Sequence, residues 1–157
     1  MNIELWTLGK EQSNHLDLAI AEYCKRLNHY SSFKIITIDN SKLNKSLSKN
    51  QLLDKEAELI LAKLTERDYL VCLDEHGKSF TSIQFANQLN SIFNQSNGKL
   101  IFLIGGSFGI SPLIKTKARL LLRLSDFTFP HQLVRLIFTE QLYRAMTILK
   151  NEKYHHE

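Results

Sequence analysis

Leu100-Ile101-Phe102-Leu103-Ile104-Gly105-Gly106-Ser107-Phe108-Gly109 is the stretch on which the reading of the fold turns. Five consecutive apolar residues lack the alternation of a half-buried strand. A run this short, stopped by glycines, reads as a strand covered on both faces. Such strands belong to mostly parallel sheets with helices on either side. The glycines follow at the carboxyl end, where open α/β sheets place their ligands. There they let a ligand approach the backbone closely and leave N–H groups free to bind it. The spacing is neither G-x-G-x-x-G nor G-x-x-x-x-G-K-[ST], so a Rossmann fingerprint and a P-loop are both unsupported. A plain strand-to-helix turn remains the simpler alternative for the loop alone.

Working outward, the same alternation of short apolar runs and longer amphipathic ones covers the chain. Asn2–Leu8, Phe33–Ile38, Tyr69–Leu73 and Leu120–Leu124 read as strands. Ser13 is the expected N-cap of a helix carrying Leu16, Ile20, Tyr23 and Leu27. Asp39–Ser48, with Lys42 and Lys45, reads as an exposed loop. Leu52–Leu64 is an expected helix whose buried stripe is Leu52, Leu53, Ala57, Ile60, Leu61 and Leu64. Asp74-Glu75-His76-Gly77-Lys78 reads as a turn, Ser82–Phe93 as a helix, Asn97-Gly98 as a turn and Ser111–Lys117 as a short helix. Pro130 opens a long helix from Gln132 to about Lys150. The elements follow so closely that one domain over residues 1–157 is expected, without a linker.

Composition narrows the class. Of 157 residues, 43% are hydrophobic and 23% charged, as in ordinary globular proteins. No apolar run approaches the ~20 residues of a membrane span. The start, Met1-Asn2-Ile3-Glu4-Leu5-Trp6, has no basic n-region or apolar h-region, so a cytoplasmic protein is expected. Cys24 and Cys72, far apart among apolar or helix-forming neighbours, read as reduced thiols, and no metal site is expected. Residues 1–110 carry 12 basic and 12 acidic side chains; residues 111–157 carry 8 against 4. All of the +4 net charge therefore falls in the last third, which suits a polyanion such as RNA or an ordinary solvated helix surface.

Three further segments carry candidate chemistry. Leu124-Ser125-Asp126-Phe127-Thr128-Phe129-Pro130-His131 places a histidine at the mouth of a helix, suited to proton handling, RNA contact or simple capping. The long helix is apolar on nearly all sides, which calls for a second cover; in a chain this short that predicts a homodimer. Glu140 and Arg144 stand i,i+4 on it, an expected ion pair, with Arg135 on another side near Thr139. The tail, Lys150 to Glu157, reads as a frayed terminus, although Tyr154 beside His155 can also stack on a base and hold a phosphate.

Taken together these segments closely resemble the RlmH-type methyltransferases of the SPOUT superfamily. The matching residues are Leu73-Asp74 with Gly77-Lys78, Leu103–Gly109, Leu124-Ser125, Thr128–Arg135, Glu140–Ala145 and Tyr154-His155. Leu8-Gly9-Lys10, Glu22-Tyr23 and Lys25-Arg26-Leu27 extend the match over the whole chain. Where a basic residue is expected after Tyr154-His155, this chain has His156. The resemblance implies an α/β fold with a mostly parallel sheet and a deep trefoil knot in about residues 100–157. Periodicity alone would give an unknotted doubly wound sheet. It implies S-adenosyl-L-methionine bound at Leu73, Gly105, Leu124, Ser125, Asp126, Phe127, Thr128 and Phe129. It further implies a homodimer acting on N3 of a pseudouridine in the large-subunit RNA of the assembled ribosome, with neither DNA nor membrane as partner. His131, Arg135, Tyr154 and His155 are then the expected substrate-binding or proton-handling residues. Two other classes stay open: a nucleotide-dependent enzyme using the glycine loop for phosphate, and a ribosome-binding factor without catalysis.

Overall fold

The computed structural model describes residues 1–9, 14–43 and 46–156. Five parallel strands form one sheet in the order β2-β1-β4-β3-β5. They are β1 (Asn2–Leu8), β2 (Ser32–Ile38), β3 (Tyr69–Lys78), β4 (Leu100–Ile104) and β5 (Leu120–Leu122). Among the described residues four helices connect them, α1 (Asp17–Leu27), α2 (Lys49–Leu61), α3 (Ser82–Gln95) and α4 (Pro112–Lys117), and a fifth, α5 (His131–Leu149), follows β5. The wholly apolar β4 lies between β1 and β3, and all five of its residues are buried.

The pleat sends alternate side chains to opposite faces, which accounts for two cores. Leu100, Phe102 and Ile104 of β4 pack under α1, α3 and α5, with Phe85 and Phe138. Ile101 and Leu103 pack on the other face with Trp6, Ala57, Ile60 and Ile114, under α2 and α4. Phe102 anchors the first core, its ring 4.6 Å from that of Phe138 and 6.4 Å from that of Phe85. Capping boxes start α2 (Ser48 with Gln51) and α3 (Thr81 with Gln84), and Ser111 caps α4 ahead of Pro112.

Several expectations shift. Asp74–Lys78 is not a turn: β3 continues through it irregularly, and Lys78 pairs with Leu122 after a register shift. The reason is close approach, since a Cβ on Gly77 would meet the backbone of Leu121 within 2.6 Å. The helix expected from Leu52 begins at Lys49, because Ser48 supplies the cap. The helix expected from Gln132 begins one residue earlier, at His131, with Pro130 as its N-cap. Ser13 and Lys45 lie outside the described residues, and α1 opens on Leu16 without a side-chain cap.

After β5 at the sheet edge, residues 123–130 return beside the segments 73–76 and 105–109, with which they line adjoining cavities. They deliver α5 to the face of the sheet beneath α1 and α3. This is the α/β knot, an exception to the usual absence of knots. The tail is not frayed: Tyr154 folds back against α5 and α1.

Candidate active site

The ends of β3 and β4 and the returning segment 123–130 enclose a cleft. It comprises two adjoining cavities of about 310 and 490 Å³ that share Leu73, Asp74, Glu75, His76, Thr128, Phe129 and Val134. Leu124, Ser125, Asp126 and Phe127 line the first; Gly105 and the rest of the glycine loop line the second. Every residue expected at the cofactor position thus lies around one cleft. Asp74, Glu75, His76 and Val134 line it too; sequence reasoning took the first three for a turn and missed their place beside the loop.

Local chemistry shapes each wall. The glycine loop closes on itself through a Gly109 N–H donated to the Gly106 carbonyl at 3.0 Å. Gly109 has φ +83, where glycine carries no Cβ penalty. A Cβ on Gly105 would stand 2.5 Å from the Gly109 backbone, so the loop packs to the limit glycine allows. Segment 124–129 belongs to no helix or strand. Among the described residues, its one recorded main-chain bond is the Phe127 N–H donated to Ser125 Oγ at 3.0 Å. Its remaining amides and carbonyls are therefore available to a ligand. Phe127 and Phe108 stand at the mouth, 82% and 50% exposed.

Charge in the cleft is acidic on its inner wall. Asp74 is nearly buried and holds Lys115 at 2.5 Å. Burial would raise its carboxyl, but the hydrogen bonds from Lys115 and the His76 backbone prevail and hold it below the ordinary value.

A third cavity, of about 220 Å³, opens on the other side of the glycine loop. Thr7, Leu8, Gly9, Thr37 and Asn40 form one wall, and His131, Gln132 and Arg135 from the start of α5 form the other. Gly106, Ser107 and His131 border both this cavity and the cleft. The Arg135 Nε is buried without a hydrogen-bond partner among the described residues. His131 and Arg135 are therefore brought together.

Tyr154 and His155 are not with them in the same chain. Tyr154 donates to Glu140 Oε1 at 3.1 Å, lies 3.3 Å from the Tyr23 hydroxyl and packs edge-on against Tyr143. Arg144 meets the His155 ring at 3.4 Å and pairs with Glu140 at 2.5 Å, as the i,i+4 spacing predicts. At 1.5 Å per residue, Arg144 lies about 13 Å along α5 from Arg135.

The SPOUT methyltransferase family model, described as "Predicted SPOUT methyltransferase", matches residues 1–155. The chain belongs to this family. Within it, the chain is an RlmH-type member. The ribosomal RNA large subunit methyltransferase H of Flavobacterium psychrophilum is 46% identical over 157 residues, covering 100% of both chains. That of Parabacteroides distasonis is 47% identical over the same span. A probable methylase family protein from Haemophilus influenzae shares the fold, with a TM-score of 0.55 at 12% identity over 99% of this chain and 71% of that one. As a SPOUT methyltransferase the chain is a transferase whose family uses S-adenosylmethionine. Among the described residues no helix is long and apolar enough to cross a membrane.

Proposed function

We propose that this protein methylates N3 of a pseudouridine in large-subunit ribosomal RNA of the assembled ribosome, working as a homodimer. One observation carries the reading: Leu73, Gly105 and the open main chain of 124–129 converge on one cleft whose border includes His131. The curated relatives, named as large-subunit ribosomal RNA methyltransferases over their full length, point to the same class of substrate.

The cleft suits S-adenosylmethionine. Leu73, Leu122, Leu124 and Val134 offer apolar surface to an adenine ring, and the unpaired main chain of 124–129 offers donors and acceptors to its edge. Glu75 and Asp126 offer acidic oxygens to the amino and sulfonium charges. When bound, the cofactor supplies an electrophilic methyl group without any metal.

The residues of the chain then have three tasks. The first is positioning, because the reaction needs the N3 atom in line with the methyl group. The second is proton removal: a ring nitrogen of His131 would take the N3–H proton of the base as N3 is methylated. The third is charge stabilisation, for which the Arg135 guanidinium donates to a carbonyl oxygen beside N3.

Tyr154 and His155 lie against Glu140 and Arg144, away from His131 of their own chain. In a dimer joined through α5, the tail of one protomer reaches the site of the other. The partly exposed apolar residues Leu133, Leu136 and Ile137 on α5 supply the surface for such a contact.

The test is transfer of label from methyl-labelled cofactor to 70S ribosomes, with mass mapping of the RNA. The expected product is one added methyl on a pseudouridine. Label on free RNA only, or on another nucleotide, would overturn the reading. Gly105→Trp should abolish cofactor binding; unchanged affinity by calorimetry would remove the glycine loop from the pocket.

A further inference from the structure

Asn40, in the lining of the third cavity, is bonded to a group that the fold by itself does not require. Glu56 lies on the buried stripe of α2 among Leu53, Ala57 and Ile60, and is 2% exposed. An apolar residue would serve packing there better, since a buried carboxylate needs compensation. Its compensation is Asn40, whose Nδ2 donates to Glu56 Oε1 at 2.7 Å. The same carboxylate lies under the glycine loop, where a Cβ on Gly106 would meet Oε1 at 2.7 Å.

This bond sets the orientation of the Asn40 amide. A carboxylate is an acceptor only, so the amide must turn its nitrogen toward Glu56. Reversed, Oδ1 would face Oε1 acceptor to acceptor. Asn40 Oδ1 is thereby left as a fixed acceptor in a residue that lines the cavity. Arg135 lines the same cavity, and its buried Nε has no hydrogen-bond partner among the described residues. A fixed acceptor and a guanidinium on residues that line one space of about 220 Å³ suit one planar polar ring.

We infer that this cavity receives the target base, and that Asn40, its amide held by Glu56, distinguishes pseudouridine from uridine. The inference rests on the methyltransferase reading given above. Pseudouridine is joined to ribose through carbon, so its N1 keeps a hydrogen that uridine lacks. With N3 turned toward the boundary at Gly106, Ser107 and His131, Arg135 donates to the O2 carbonyl and Asn40 Oδ1 accepts from N1–H. Uridine in the same pose leaves that acceptor unsatisfied, and a site built to bond a donor discriminates strongly against an analogue without it. The base must leave its stack to enter such a pocket. Asn40 is the specificity residue in this arrangement, and Glu56 is a positioning residue acting through it.

The test compares two substrates: 70S ribosomes carrying pseudouridine at the target position, and ribosomes from cells without the pseudouridine synthase, which carry uridine there. Initial rates of label transfer are measured on both, with cofactor affinity by calorimetry and Tm for every variant. Wild type should prefer the pseudouridine ribosomes at least tenfold. Asn40→Ala should lose most of that preference through a slower pseudouridine rate, with cofactor affinity within twofold of wild type. Glu56→Gln lets the amide reverse; it should lose the preference likewise, and should add nothing in the Asn40→Ala background. Retained preference in Asn40→Ala, or an equal loss on both ribosomes with a lowered Tm, would overturn the inference while leaving the activity standing. Wild-type protein that labels neither ribosome would overturn both.

Discussion

The two ends of α5 are built on opposite plans. At its start, His131 and Gln132 are exposed, the Arg135 Nε is buried without a partner among the described residues, and the neighbouring segment 124–129 keeps most of its main chain open. From its middle onward, Glu140 takes bonds from Arg144, Gln141 and Tyr154, and the rings of Tyr23, Tyr30, Tyr143 and Tyr154 gather around them. The difference is one of satisfaction. Polar groups that the fold pairs internally stabilise it, whereas polar groups left open cost stability unless something else pairs them. Within one chain, candidate chemistry therefore belongs to the first end, and structural rigidity to the second.

The largest expected effect tests the open end. Arg135→Ala should slow methyl transfer to ribosomes by about 10²-fold, the scale for removing one donor from a developing negative charge. Because Nε has no hydrogen-bond partner among the described residues, Tm should stay within a few degrees. A large fall in Tm with normal transfer would reverse the comparison. Next, Arg144→Ala breaks the closed end: Glu140 loses its paired cation and the Tyr154 ring loses the guanidinium 4.8 Å from its centre. A loss of about 2 kcal/mol in urea unfolding is expected, and Arg144→Lys should restore only part of it, lacking the two-pronged geometry.

A smaller effect comes from a closed spot within the open end, the Asp74–Lys115 pair. Asp74 titrates below its ordinary value of 3.8 in the folded protein. Its stabilising contribution is therefore complete above that value and fades as pH falls through the lower, folded one. Asp74→Asn should cost about 1 kcal/mol at pH 6 and progressively less below pH 4. A difference independent of pH would show that the pair contributes through shape alone. The smallest effect is expected from Tyr23→Phe, which removes a 3.3 Å contact between the Tyr23 and Tyr154 hydroxyls at the closed end. About 0.5 kcal/mol of stability and unchanged cofactor affinity are expected; a tenfold fall in affinity would connect the two ends.

Much of the architecture was readable along the chain because it rests on local signals. The apolar run Leu100–Ile104 ahead of glycines marked the central strand, and the i,i+4 spacing of Glu140 and Arg144 marked their pair. Other features escaped because their causes are distant in sequence. Asp74–Lys78 looks like a turn until β5 lies against Gly77 and draws it into the sheet. Glu56 reads as one more charge in a helix until the glycine loop covers it. The tail looks frayed until Glu140 and the tyrosines of α1 and α5 receive Tyr154.

Hydrophobic periodicity and turn residues by themselves determined an alternating α/β chain with a mostly parallel sheet and a glycine loop at a strand end, since these follow from contacts between near neighbours. Only the tertiary structure decided that segment 124–129 faces Leu73 across a cleft, that a buried acid stands behind Asn40, and that the tail lies away from His131. Those relations join residues tens of positions apart, and a chain that returns beside its own loops to bring them together leaves no periodic trace.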